Sequence, residues 1–143
     1  MPGTVATPAV WEPRLEDMTA SLQALGRLPR GMARETREAV AHARRFVEEV
    51  VRPRALELDL LLQQDPFHLP WELVEEANRW GLYTMFLPRL FGGKGYNLPA
   101  LSFVLEELAA ACTGIANLVG VHYLGVATLT ASWNVRLMSR IMR

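Results

Sequence analysis

The sequence predicts an all-α fold, a bundle of five or six helices, on three observations. Apolar residues recur at three- and four-residue intervals along most of the chain, which draws single stripes on α-helices. No run with the strict alternation of a half-buried strand is present. Proline, glycine and asparagine fall where helices start and stop.

Met1 to Val10 reads as a loose tail, and Pro13 to Leu25 as a short helix ended by Gly26, with Leu15, Met18, Leu22 and Leu25 on one side. Pro29, Arg30 and Gly31 read as a linker, so residues 1–32 form an N-terminal extension and residues 33–143 the main domain. Arg34 to Val51 is the first strong helix, its stripe Val40, Ala43, Val47 and Val50 with Phe46 at the edge. Arg44, Arg45, Glu48 and Glu49 stand at spacings that allow Arg–Glu pairs, each worth about a few tenths of a kcal/mol. Pro53 has no amide hydrogen and ends or kinks this helix. Ala55 to Gln64 resumes it, with Leu56 and the Leu60-Leu61-Leu62 run for contacts, and Asp65-Pro66 stops it. Pro70 to Trp80 is the next helix, with Glu72 suited to its first turn and Leu73, Val74, Ala77 and Trp80 on one face. Gly81 ends it, and Thr84 to Leu87 links onward as extended chain.

The centre of the chain runs from Leu87 to Trp133. Pro88 opens a turn in which Gly92, Gly93 and Gly95 supply conformations that a Cβ disfavours. Asn97 is a candidate N-cap and Pro99 a first-turn residue. The helix they start carries Leu101, Val104, Leu105, Leu108 and Cys112 on one stripe, Glu106 and Glu107 opposite, and Gly114 as its stop. Phe103 falls among the acids on the back of this helix, which suggests a second surface covered by another domain or subunit. A last helix, Ile115 to Trp133, turns Ile115, Val119, Val126, Leu129 and Trp133 toward the bundle. Its second stripe is small: Ala116, Gly120, Ala127 and Ala131. Small groups in line admit either a close-packed helix or a ligand.

Composition narrows the function. Fifteen basic and fifteen acidic residues leave no net charge, so no nucleic-acid footprint is present. A single cysteine excludes an internal disulfide and any multi-Cys metal site, and Cys112 reads as a small buried hydrophobe. His122 lies among apolar positions as a satisfied core histidine, His42 on an Arg-rich surface helix and His68 in the Pro66–Pro70 link. None has a second ligand at metal spacing, so no metal is expected. Leu108 to Val135 carries no formal charge over 28 residues, long enough to span a bilayer. Asn117 and His122 within it would be costly in hydrocarbon, which favours a buried helix and no membrane. The first thirty residues lack a secretory apolar run, and fourteen of fifteen basic residues are Arg, so a cytoplasmic, bacterial protein is expected.

One ordered set of motifs carries a resemblance. PxxFGGxG, here Pro88-Arg89-Leu90-Phe91-Gly92-Gly93-Lys94-Gly95, is followed by Glu106-Glu107-Leu108-Ala109 and Cys112-Thr113-Gly114. Phe46-Val47-Glu48-Glu49-Val50-Val51-Arg52-Pro53, Asp59 and Trp80-Gly81-Leu82 precede it. Over roughly residues 38 to 134 this resembles the amino-terminal helical domain of the acyl-CoA dehydrogenase family. The resemblance implies an FAD-dependent oxidoreductase in which a carboxylate takes the α-proton of an acyl-CoA and the β-hydrogen leaves as hydride to the flavin. It also implies that the last long helix lines the acyl-chain slot, with Ala116, Asn117, Gly120, Val121 and Leu124 as substrate-binding wall. Some members carry a larger or acidic group in place of Gly120, so the glycine implies a deeper slot for a long or bulky acyl group.

In the family the flavin seat and the carboxylate come mainly from a middle β-domain and a carboxy-terminal bundle, expected beyond Arg143. No catalytic residue is therefore assigned, and the chain alone is expected to be inactive. The implied partners are an acyl-CoA and the remaining domains or a partner subunit, in a homo- or hetero-oligomer. Two other readings stand beside this one: a non-catalytic partner or relic subunit that pairs through the surface around Phe103, and a small membrane-anchored helical protein.

Overall fold

The computed structural model describes residues 20–141 as helices joined by turns, with no strand among the described residues. In chain order these are α1 (Ala20–Leu25), α2 (Arg30–Phe46), α3 (Ala55–Gln64), α4 (Trp71–Arg79), α5 (Leu98–Ala111), α6 (Thr113–Ala131) and α7 (Val135–Ile141). The sequence-predicted tail and most of the Pro13–Leu25 helix lie outside the described residues.

Pro29 caps α2, so the expected linker is instead the start of a helix. Its φ of −53° already suits the first turn. After Phe46 the chain passes Pro53 by changing pitch rather than kinking: a π-helical stretch, Val47–Val51, then a 3₁₀ turn, Arg52–Arg54. The Arg52 amide reaches back to Val47 O across this widened turn. That extra width rotates α3 relative to the period of α2. Leu58 turns inward, and Leu56 and Leu60, expected to make contacts, are 74% and 50% exposed.

The core gathers along α5, which packs against α2 on one side and α6 on the other. Ala39 and Ala43 are fully buried, and Phe46 lies wholly in the interior rather than at the edge of its stripe. Leu73 and Ala77 bring α4 onto this core. The half-buried Trp80 donates its indole N–H to Glu76, and His42 donates from Nε2 to the Trp80 carbonyl at 2.7 Å. The link after Trp80 is a series of tight turns, not an extended strand, because Leu82, Met85 and Leu87 all fold into the core.

The glycine turn is sterically enforced. A Cβ on Gly93 would lie 2.0 Å from the Leu87 carbonyl oxygen, and Gly92 takes φ 85°. Asn97 then starts α5 and ties it to α2. Its Oδ1 accepts from the Ala100 amide at 3.1 Å, while its amide group donates to Met32 O and a Glu35 carboxylate oxygen at 3.2 and 3.0 Å. Arg44 pairs across the same seam with Glu107 at 2.5 Å rather than with its helical neighbours, and Glu48 pairs with Arg52. The Glu107 carboxylate raises the Arg44 pKa.

Four further expectations are corrected. Gly114 does not stop α5: the break falls at Cys112, which takes an extended φ of −156°, and Gly114 sits in the first turn of α6. As a junction residue Cys112 is half-buried against the core rather than a member of a helical stripe. Phe103 is covered, not by a second domain, but by this chain's own Leu25, Leu28, Ala33 and Val40. Trp133 lies past the end of α6 with φ 52° and is 85% exposed, so it cannot face the bundle.

Candidate functional site

α6 presses Ile115, Val119 and Tyr123 into the core. On another side it diverges enough from α5 to leave a groove of about 750 Å³. α5 supplies Leu98, Leu101, Leu105 and Ala109, and α6 supplies residues from Thr113 to Thr130. All five residues named from the sequence, Ala116, Asn117, Gly120, Val121 and Leu124, line this one groove. Ala116 and Tyr123 lie deep, whereas Leu98, Val121 and Leu124 are 72%, 56% and 68% exposed along its open side.

The groove is uncharged: no Asp, Glu, Lys or Arg is in its lining. Two of its four polar side chains are occupied from within. The Tyr123 hydroxyl donates to the Leu82 carbonyl, and Thr130 Oγ1 donates to Val126 O at 2.5 Å. Burial pushes the Tyr123 phenol far above its usual pKa. Phe86 packs edge-on to the same ring, centroids 4.9 Å apart. A surface of this kind takes hydrocarbon and repels water.

Gly120 leaves space without any packing demand for it. An added Cβ would meet only Leu105 methyl carbons at 3.6 Å, an ordinary contact. Along the rest of the small-residue stripe, Ala127 and Ala131 are exposed among the described residues. Sequence reading missed the α5 wall, Phe86 and Tyr123. Leu101 and Leu105 belong to an apolar stripe indistinguishable in sequence from core, and here they are only half-buried.

The groove does not fit FAD. A diphosphate calls for cations or converging backbone N–H groups, and no cationic side chain lines it. His122 stands outside the lining and is exposed, not in the core; its Nε2 lies 3.0 Å from Tyr83 O and its ring packs on Tyr83. Among the described residues no three His, Cys, Asp or Glu side chains converge as metal ligands. α6 is long and apolar enough to cross a membrane, with mean hydropathy 1.3 and 22% of that window buried.

Fold and groove together define a helical domain that offers an apolar slot at a helix–helix seam. Residues 33–133 match the acyl-CoA dehydrogenase N-terminal domain, and the chain belongs to that family. Over 79 residues it is 30% identical to a probable medium-chain specific acyl-CoA dehydrogenase 2, mitochondrial, of Caenorhabditis briggsae. That match covers 55% of this chain and 18% of the relative, so the chain corresponds to less than a fifth of that protein's length. No solved structure gives a significant match.

Proposed function

We propose that this chain supplies one wall of the acyl-chain slot in a flavin-dependent dehydrogenation of an acyl-CoA thioester. The observation that carries this reading is the convergence of Ala116, Asn117, Gly120, Val121 and Leu124 with α5 on a single uncharged groove, in a chain of this family. Each methylene taken from water into such a lining is worth about 0.8 kcal/mol. The exposed flanks at Leu98, Val121 and Leu124 then need a second wall, from other domains of the enzyme or a partner subunit. FAD and the carboxylate base belong to those parts. When bound, the flavin accepts the hydride; these helices hold and dehydrate the acyl chain. The relative is named for medium chains, but the space left at Gly120 favours a long or bulky acyl group.

Titration of the ¹⁵N-labelled chain with palmitoyl-CoA, octanoyl-CoA and CoA alone tests this reading by NMR. The amides from Ala116 to Leu124 are expected to shift saturably with the acyl thioesters, more tightly for palmitoyl, and not with CoA. Shifts confined to other helices, or none with any thioester, overturn it. A second reading, a membrane-anchored helix, is favoured by the hydropathy and low burial of α6. It predicts instead that the chain sediments with neutral vesicles and that α6 amides broaden on their addition.

A further inference from the structure

A second cavity, of about 370 Å³, lies at the corner between α3 and α4 and shares no lining residue with the acyl-chain groove. Leu58 and Leu73 are buried at its base, whereas Leu61, Leu69 and Trp71 stay exposed around it, Trp71 by 63%. Phe67, on the link between the two helices, is 93% exposed. That link is held in place by its own hydrogen bonds. The Phe67 amide donates to Asp65 Oδ1 at 3.0 Å, the His68 amide to Asp65 O at 3.0 Å, and the Trp71 amide to Leu69 O at 2.8 Å. A preformed cavity bordered by exposed aromatic and leucine side chains is where a large apolar side chain from another molecule can be buried.

Charge says what kind of molecule that is. In a chain with no net charge, residues 55–78 carry six acids, Glu57, Asp59, Asp65, Glu72, Glu75 and Glu76, and no Lys or Arg. Arg79 takes up Glu76, and the other ion pairs among the described residues, Arg44–Glu107 and Arg52–Glu48, reach neither Glu57 nor Glu72 in the cavity lining. Arg54, at one edge, is the single Lys or Arg in that lining. Such a field repels an anionic lipid surface and draws a basic polypeptide. We propose that the α3–α4 corner docks a basic amphipathic helix of a separate partner protein. One large apolar side chain of that helix enters the cavity against Trp71, and its Arg or Lys side chains pair with Glu57 and Glu72. The corner and the acyl-chain groove are separate sites, so either reading can fail without the other.

Titration of the ¹⁵N-labelled chain with a synthetic amphipathic helix, leucines on one face and arginines on the other, tests this by NMR. A counterpart with glutamates in place of the arginines is the control. The arginine peptide is expected to shift the Trp71 indole and the amides of residues 57–61 and 67–73 saturably, and to bind less tightly as salt is raised. Glu57→Gln/Glu72→Gln, which alters only exposed side chains, is expected to weaken that binding roughly tenfold. Trp71→Ala is expected to weaken it by at least as much. Failure of the arginine peptide to bind, equal binding of the glutamate peptide, or binding indifferent to the glutamine pair would overturn the proposal. So would movement of the same resonances with phosphatidylcholine vesicles, or with rising concentration of the chain alone, since the occupant would then be a membrane or a second copy.

Discussion

α5 has two seams, and they are closed differently. Against α2 it presents Ala100 and Val104, both fully buried, to Ala39 and Ala43, and polar ties hold the seam at Asn97 and at Arg44–Glu107. Against α6 the seam closes through the apolar side chains of Leu108, Ile115 and Val119, then opens beside Leu101, Leu105 and Gly120 into the groove. Small residues therefore do opposite things on the two sides. Alanines on α2 bring a partner helix close; at Gly120 on α6 a Cβ would meet only the Leu105 methyl carbons, and the seam opens beside them. Close packing is lost wherever no atom fills the space.

The comparison is sharpest for two glycines on either side of α5. Gly93 is the largest expected effect. Alanine there would place its Cβ 2.0 Å from Leu87 O, an atom that also accepts from the Gly95 amide at 2.9 Å. The turn must open to admit it, and with it the approach of α5 to α2. Gly93→Ala is expected to destabilise by about 3 kcal/mol or more, read as a lower urea midpoint. A loss below about 1 kcal/mol would show that the turn is not what sets the start of α5.

The next effect is at the base of the groove. Tyr123→Phe leaves the Leu82 carbonyl without its donor and is expected to cost about 1–2 kcal/mol at neutral pH. Its pH dependence has a definite sign. Burial raises the folded-state pKa above the ordinary 10.0, so the fold favours the neutral phenol. That stability is complete below pH 10.0 and falls as pH rises beyond it. Tyr83 and Tyr96 are raised in the same direction by burial. Urea unfolding at about pH 7 and about pH 11 should therefore show a smaller alkaline loss in Tyr123→Phe than in the unaltered chain, but not none. Equal losses would mean that the phenol reaches water.

Legibility in the sequence divides along the same line. Ala55–Gln64 is found at its predicted bounds, and Asn97 caps the helix it is expected to cap. Local chemistry sets those points: a proline, a cap, a glycine. The five named α6 residues that line the groove come from the family resemblance; the line of small side chains by itself leaves a close-packed helix equally open. Partners are not legible. Periodicity tells which side of a helix is apolar, not how many neighbours cover it, so it puts Phe46 at an edge and Phe103 on a foreign interface. The π-helical stretch before Pro53 shifts the register of α3 by geometry that composition does not announce, which is why Leu58 and not Leu56 is inside. Trp133 keeps the α6 period in sequence, but α6 ends at Ala131 and the backbone reverses at φ 52°.

The smallest effect has the opposite sign to the first. At Gly120 an alanine Cβ meets Leu105 methyl carbons at 3.6 Å, which adds contact without strain. Glycine inside a helix costs about 1 kcal/mol relative to alanine, so Gly120→Ala is expected to raise stability by up to about that amount. It also narrows the groove by one methyl group, so palmitoyl-CoA binding should weaken or hold level while thermal stability rises. A change of that kind would place Gly120 among positions where room for a ligand is kept at the expense of the helix. If Gly120→Ala instead destabilises the chain, then α5 and α6 sit closer than the 3.6 Å contact allows. The open seam would then be a packed one, with no space for an acyl chain.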